Sequence, residues 1–282
     1  MISVVVPSLG GDLSATLGSL NSGTLMPNEI IVCLPNKTHT VYNLTKYTNV
    51  KIIYSSKYGQ VYQRICGFKN AKHDLVLQLD DDVVVSPNCL KLLVHAISST
   101  KEKTSVSPCL YNISDGNPLH QSIKKSLIMR VYYWIINGVK GYQPGKVSLA
   151  GTNFGVNPCN IKEDFFSVDW QPGGCVLHNK ANIILDSYYP YEGKAYSEDL
   201  IHSVHLRERL RTIDRCGNAN IFVYFDKQVT SIKMTFIEII KYYKVMSWFV
   251  GRYGGSRFRI LLFLFLYYTN LIAMRYYRKL LK

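Results

Sequence analysis

The stretch Asp74-Leu75-Val76-Leu77-Gln78-Leu79-Asp80-Asp81-Asp82 joins an apolar run to three successive carboxylates. A short apolar run of this kind, closed by charge, reads as a strand buried on both faces. Three adjacent acids repel one another and raise each other's pKa. A divalent cation relieves that repulsion, because hard cations prefer carboxylate and phosphate oxygens. Held there, a metal can bridge a diphosphate and neutralise a departing nucleoside diphosphate. Taken alone, the acids also fit a solvated turn, or a cap for the helix that follows Pro87. Their place at the end of a fourth strand favours the cation.

The three earlier strands lie upstream. Ile2 to Val6 is a β-branched run ended by Pro7, Glu29 to Leu34 is stopped by Pro35, and Val50 to Tyr54 follows. Between them, Asp12 to Leu20 has helical spacing (Leu13, Leu17, Leu20), and so does Gly59 to Asn70. Pro87 opens a further helix with Leu90, Leu93, Val94 and Ile97 on one face. Strands alternating with helices predict a parallel, doubly wound sheet. Ligands of such sheets sit beyond the carboxyl ends of the strands. Pro7-Ser8, Pro35-Asn36, Ser55-Ser56 and Asp80 to Asp82 would line that edge, making residues 1–100 a nucleotide-binding half.

The second half is less regular. Ser105 to Tyr111 reads as a strand, and Pro118 to Lys140 as a helical stretch with Lys124, Lys125, Arg130, Tyr132, Tyr133 and Trp134. Trp170-Gln171-Pro172-Gly173-Gly174 is a turn feeding the short strand Cys175 to His178. Ser197 is placed to cap a helix from Glu198 to about Leu210. Ala219 to Phe225 reads as a strand, and everything from Lys233 onward as helix. The expected division is one α/β domain over 1–226, with halves 1–100 and 101–226, and a helical tail over 227–282.

Composition supports this division. Hydrophobic residues make up 47% of 282, enough for one large core. The net charge is +14, and residues 227–282 hold eleven Lys and Arg against one acid, Glu238. Seven scattered cysteines without a C-x-x-C spacing suggest neither a zinc cluster nor a disulfide framework, and favour a reducing compartment. Met1 to Gly11 reads as a strand rather than a leader. His178, His202 and His205 lack co-ligands at suitable spacing and read as core or surface residues. Ile260 to Met274 is apolar for about 15 residues, short of the ~20 that span a bilayer. Basic residues flank it and tyrosines interrupt it, so a helix lying in a membrane interface is expected, or one packed on protein. Such an apolar helix suits lipid better than a nucleic-acid backbone.

The ordered set of motifs resembles the family 2 glycosyltransferases of GT-A fold, over at least Ile2 to about Phe225. Pro7-Ser8 resembles the end of their first strand, and Gly59, Arg64 and Gly67 their second helix. Leu79-Asp80-Asp81-Asp82 is similar to their D-x-D signature. Trp170, Gly173 and Gly174 resemble an acceptor-side glycine turn, and Glu198-Asp199 with Leu200 and Arg207 an E-D helix. The resemblance implies a mostly parallel mixed sheet flanked by helices, and an inverting transfer from a nucleotide-sugar to a glycan or lipid-linked acceptor. It implies that Asp82, with Asp80, ligates Mn²⁺ or Mg²⁺, and that Asp199 is the general base with Glu198 orienting it or binding acceptor. Pro7, Ser8, Asn36, Arg64, Asp80, Asp81, Gly173 and Gly174 would face the donor, and Trp170 the acceptor.

Two positions depart from the family pattern. Leu34-Pro35-Asn36 stands where an acid usually holds the base, so recognition differs or falls to Asn36 and Ser8. Val223-Tyr224-Phe225-Asp226 stands where a late histidine often ligates the metal, so Asp226 substitutes or the metal is held more weakly. Surface-polysaccharide synthesis (O-antigen or capsule) at the cytoplasmic face of the inner membrane is the implied setting. The alternatives are a non-catalytic membrane-bound scaffold and a sugar-nucleotide nucleotidyltransferase; the latter needs an arginine that Ser8 to Asp12 lacks.

Overall fold

The computed structural model describes residues 1–42, 44–100, 103–120, 126–191, 195–210, 212–224 and 232–280. Its first hundred residues form β1 (Ile2–Pro7), β2 (Gly11–Asp12), α1 (Ser14–Asn21), β3 (Glu29–Leu34), β4 (Val41–Tyr42), β5 (Val50–Tyr54), α2 (Gln60–Asn70), β6 (Leu75–Leu79), β7 (Val83–Val85) and α3 (Cys89–Ser99). There follow β8 (Ser105–Asn112), α4 (Leu127–Asn137), β9 (Phe165–Ser167), β10 (Cys175–Asn179), α5 (Glu198–Arg209), β11 (Asp214–Val223), α6 (Ile232–Tyr253) and α7 (Arg257–Leu280). Two compact units result: residues 1–121 with 156–226, and 122–155 with 227–282.

The first unit is built on a nine-stranded sheet ordered β5-β3-β1-β6-β10-β8-β11-β7, with β9 on β11. Pairing is parallel from β5 through β6, as the alternation of strands and helices predicts. Beyond β6 the sheet is mixed, because β10 runs antiparallel to both β6 and β8. The central strands read as largely apolar runs because both of their faces are covered. Val4, Val6, Ile30, Val32, Leu77 and Leu79 pack with α1 and α3 residues such as Leu17 and Leu93. Val5, Ile31 and Val76 pack on Phe68 of α2.

Three elements differ from the sequence expectation. The helix read over Pro118 to Lys140 is shorter, since α4 starts at Leu127 with the Ser126 hydroxyl accepting from the Met129 N–H. Pro118 is instead bridged to Tyr111 beyond a turn at Gly116 (φ +67°), and Lys124 and Lys125 lie outside the described residues. Strand β11 starts at Asp214, not Ala219, because a register shift between Arg215 and Asn220 carries it past Gly217-Asn218. The helix read from Lys233 onward breaks into α6 and α7 at Gly254, whose φ is +80°.

In the second unit, Ile136, Ala150 and Phe154 form a cluster joined by Tyr132, Tyr133, Tyr142 and Phe263. Residues 122–155 thus group with the tail, not with the acceptor half to which the sequence division gave them, through the cluster around Ile136, Phe154 and Phe263. Among the described residues no helix is long and apolar enough to cross a membrane.

Candidate active site

The carboxyl ends of β1, β3 and β5 are level: the Ser8 N–H donates to Cys33 O (3.1 Å) and the Ser55 N–H to Leu34 O (2.8 Å). Gln63 of α2 secures the same edge, donating to Ser8 O and Cys33 O at 2.7 Å each. A cavity of about 790 Å³ opens at this edge, a volume that suits a nucleotide. Pro7, Ser8 and Asp81 line it, as do Lys57, Tyr58 and Tyr189. The Ser8 hydroxyl donates to Asp81 Oδ2 (2.6 Å). Burial pushes the Asp81 carboxyl up, and that hydrogen bond opposes the shift.

Arg64, 1% exposed, ties the remaining acids together. Its Nη1 donates to Glu198 Oε1 (2.7 Å) and its Nη2 to Asp80 Oδ1 (3.0 Å). Burial works against its charge, but Glu198 above all, with Asp80, outweighs that and keeps it protonated. Glu198 is itself buried and also accepts the Tyr188 hydroxyl. Asp80 Oδ1 accepts Gln60 Nε2 as well (2.9 Å). Burial raises the Asp80 pKa to about 6; Arg64 opposes this, while Glu198 and Asp82 add to it.

The glycine turn brings these acids close. Gly174 O accepts the Asp80 N–H (2.9 Å). A Cβ at Gly173 would sit 3.0 Å from Glu198 Oε2, and one at Gly174 3.5 Å from Asp80 Oδ2. A side chain at Gly173 would crowd Glu198, whereas one at Gly174 would make ordinary contact with Asp80. Gln78, a polar residue inside the apolar strand β6, donates to Gly173 O.

Ser197 does not cap α5 through its side chain, as the sequence suggested. Its backbone is left-handed (φ 50°, ψ 30°) and its hydroxyl makes no cap hydrogen bond, a conformation that costs a non-glycine residue about 1 kcal/mol. The sharp entry sets Glu198 and Asp199 side by side. Asp199 Oδ1 accepts the Leu200 N–H (2.9 Å). Its carboxyl is pushed up to about 7, first by burial and then by the charge of Glu198. A carboxylate poised there can accept a proton near neutral pH.

Other expected site residues lie elsewhere. Asn36 turns into its own loop, its Oδ1 accepting the Thr38 N–H (3.0 Å), and is absent from the cavity wall. Trp170 is 2% exposed, with Arg215 over its ring at 5.8 Å and His120 against its edge. It supports the turn from within the core and has no free face for an acceptor. Arg64 lies under the acids rather than in the cavity wall. Asp226 lies outside the described residues. His178 and His202 are core residues, ring centroids 5.7 Å apart, and burial keeps both neutral. Sequence reading missed Tyr188, Gln60, Gln78 and the aromatic wall. Gln78 carried a signal, a polar side chain in a strand buried on both faces; the tyrosines carried none.

Among the described residues, no group of three His, Cys, Asp or Glu could hold a metal by itself. Asp80 Oδ2 is open, however, and Asp82 is exposed with no hydrogen bond among them. These two hard-oxygen donors fit a cation that completes its shell with diphosphate and water oxygens.

Residues 3–155 match the family model Glycosyl transferase family 2. A search of curated proteins gives no match. Among solved structures, the chain is similar to the crystal structure of GalNAc-T7 with UDP, GalNAc and Mn²⁺ (16% identity, TM-score 0.55), over 82% of this chain and 45% of that one. It is also similar to Staphylococcus aureus TarS 1–349 in complex with UDP-GlcNAc (15% identity, TM-score 0.52), over 86% of this chain and 64% of that one. The chain therefore spans about half to two thirds of the length of these structures. The likeness shows a shared GT-A fold.

Proposed function

The chain belongs to glycosyl transferase family 2, and from that premise we propose that it moves a hexosyl or deoxyhexosyl group from a nucleotide-sugar to a hydroxyl of a glycan or lipid-linked acceptor, with inversion. The observation that carries this reading is the buried Arg64 bridge, which holds Asp80 and Glu198 in one cluster with Asp199 next in the chain.

In this reading the nucleoside diphosphate enters the cavity beside Ser8 and Asp81. Ser8 and the tyrosines of the wall, rather than Asn36, take over recognition of the base. Asp82 and Asp80 Oδ2 would hold Mn²⁺ or Mg²⁺, which would supply positive charge against the leaving diphosphate. Asp199 takes the proton of the acceptor hydroxyl as it attacks, so no free alkoxide forms. Glu198, consumed by Arg64 and Tyr188, positions Asp199 and keeps the first turn of α5 rigid. A single in-line displacement inverts the anomeric carbon and needs no covalent nucleophile.

The basic, apolar tail supports a peripheral position on the cytoplasmic face of the inner membrane, and with it a role in surface-polysaccharide assembly. The test is transfer by the purified chain, with the anomeric configuration of the product read by NMR. Inversion is expected. Retention would contradict the single displacement, and nucleotidyl transfer without sugar transfer would favour a nucleotidyltransferase.

A further inference from the structure

Charge in this chain is divided by unit. Residues 122–155 and 227–282 carry sixteen Lys and Arg against one acid, Glu238, while the other unit carries seventeen against eighteen. All of the positive excess lies in the second unit.

That unit also leaves two apolar helix faces bare. On α4, Ile136 is buried on one side, while Leu127 (74% exposed), Ile128 (80%), Val131 and Trp134 face outward. Arg259 lies over the Trp134 ring at 6.0 Å and donates to Trp134 O (2.8 Å), so this exposed indole is held in place by a cation. A groove of about 750 Å³ runs beside the helix, walled by Met129, Val131, Tyr133, Trp134 and Tyr142 with Arg130 among them. On α7, Phe258, Leu261, Phe265 and Ile272 recur at helical spacing and are exposed. Apolar faces of this extent mark an interaction surface. Indole and tyrosine rings beside Lys and Arg, on a unit of one charge sign, suit the acyl–headgroup boundary of an anionic bilayer.

We propose that the second unit docks on an anionic bilayer through α4 as well as α7, with Leu127, Ile128, Val131 and Trp134 entering the acyl boundary and the surrounding cations meeting anionic headgroups. Among the described residues neither helix is long and apolar enough to span the bilayer. Two elements inserting together bind more firmly than one. This deepens the membrane reading above and is independent of the donor and acid assignments.

The full chain is sedimented with vesicles of phosphatidylcholine containing about one third phosphatidylglycerol, and with phosphatidylcholine alone. Binding to the anionic vesicles, weakened by salt, is expected. Ile128→Glu with Val131→Glu should reduce it on the order of tenfold or more, with thermal unfolding and donor turnover unchanged, since both side chains are exposed. Unaltered binding in that double variant would overturn the role of α4. Equal binding to neutral vesicles would overturn the role of charge. Self-association abolished by the same substitutions, without vesicle binding, would assign the face to a second copy and overturn the proposal. Because vesicle binding is read without donor, its failure would leave the transferase reading standing.

Discussion

Arg64 is the side chain on which the site's electrostatics turn. Arg64→Met would leave Asp80 and Glu198 without their shared counter-charge, at a cost of about 3–5 kcal/mol in chemical denaturation. Arg64→Lys keeps the charge but cannot fork to both acids, so turnover should fall with a smaller loss of stability. Asp199→Asn should lower kcat on the order of 10²–10⁴-fold with donor affinity unchanged; equal loss of both would make the residue structural. In the wild type, kcat/KM should rise with pH through about 7 as Asp199 loses its proton. The stability consequence has the opposite sign. A carboxyl whose folded pKa lies above its unfolded value favours the fold below pH 3.8, and that contribution is lost as pH rises through about 7. Asp199→Asn should therefore stabilise the fold, and more at pH 8 than at pH 5, read by thermal melts. Asp82→Ala should abolish transfer and metal-dependent nucleotide binding while leaving the melt unchanged; full activity would remove the metal from the account. Asp80 and Asp81 drew notice in sequence because carboxylates crowded at a strand end repel one another unless a counter-charge or ligand meets them, whereas Glu198 and Asp199 were singled out by the resemblance, since acids at a helix start also suit its dipole. Tyr188 was not, since nothing local ties it to an acid ten residues on.

Helix α2 approaches strand β1 most closely at Gly67. A Cβ on Gly67 would lie 2.2 Å from Val5 Cγ1, so Gly67→Ala must push the helix off the sheet. A loss of about 2 kcal/mol or more is expected by denaturant titration, with donor affinity falling too, because α2 also carries Gln63 and Arg64. At the start of α5, Ser197→Gly should be neutral or stabilising and Ser197→Val destabilising, given the left-handed backbone there. Strands β1, β3 and β6 were readable because burial on both faces leaves a largely apolar run. The insertion of β10 between β6 and β8 was not, because strand order is set by long-range pairing that no window of sequence contains. The early start of β11 was not read, because the strand is irregular between Arg215 and Asn220, around Gly217-Asn218.

At the scale of the molecule, a division at residue 226 followed the visible change in charge. It missed that residues 122–155 join the tail through contacts far apart in sequence. Once those residues are counted with the tail, the excess of Lys and Arg belongs to one unit and the acids of the candidate site to the other. We propose a metal-assisted transfer from a nucleotide-sugar donor. The most direct measurement is a thermal-shift and donor-hydrolysis screen of the purified chain against UDP-, GDP- and dTDP-sugars, each with and without Mn²⁺. The account predicts stabilisation and slow hydrolysis with one nucleotide class, only when metal is present, and loss of both in Asp82→Ala. A folded chain that responds to none of these donors, with or without metal, would contradict it and favour a non-catalytic scaffold.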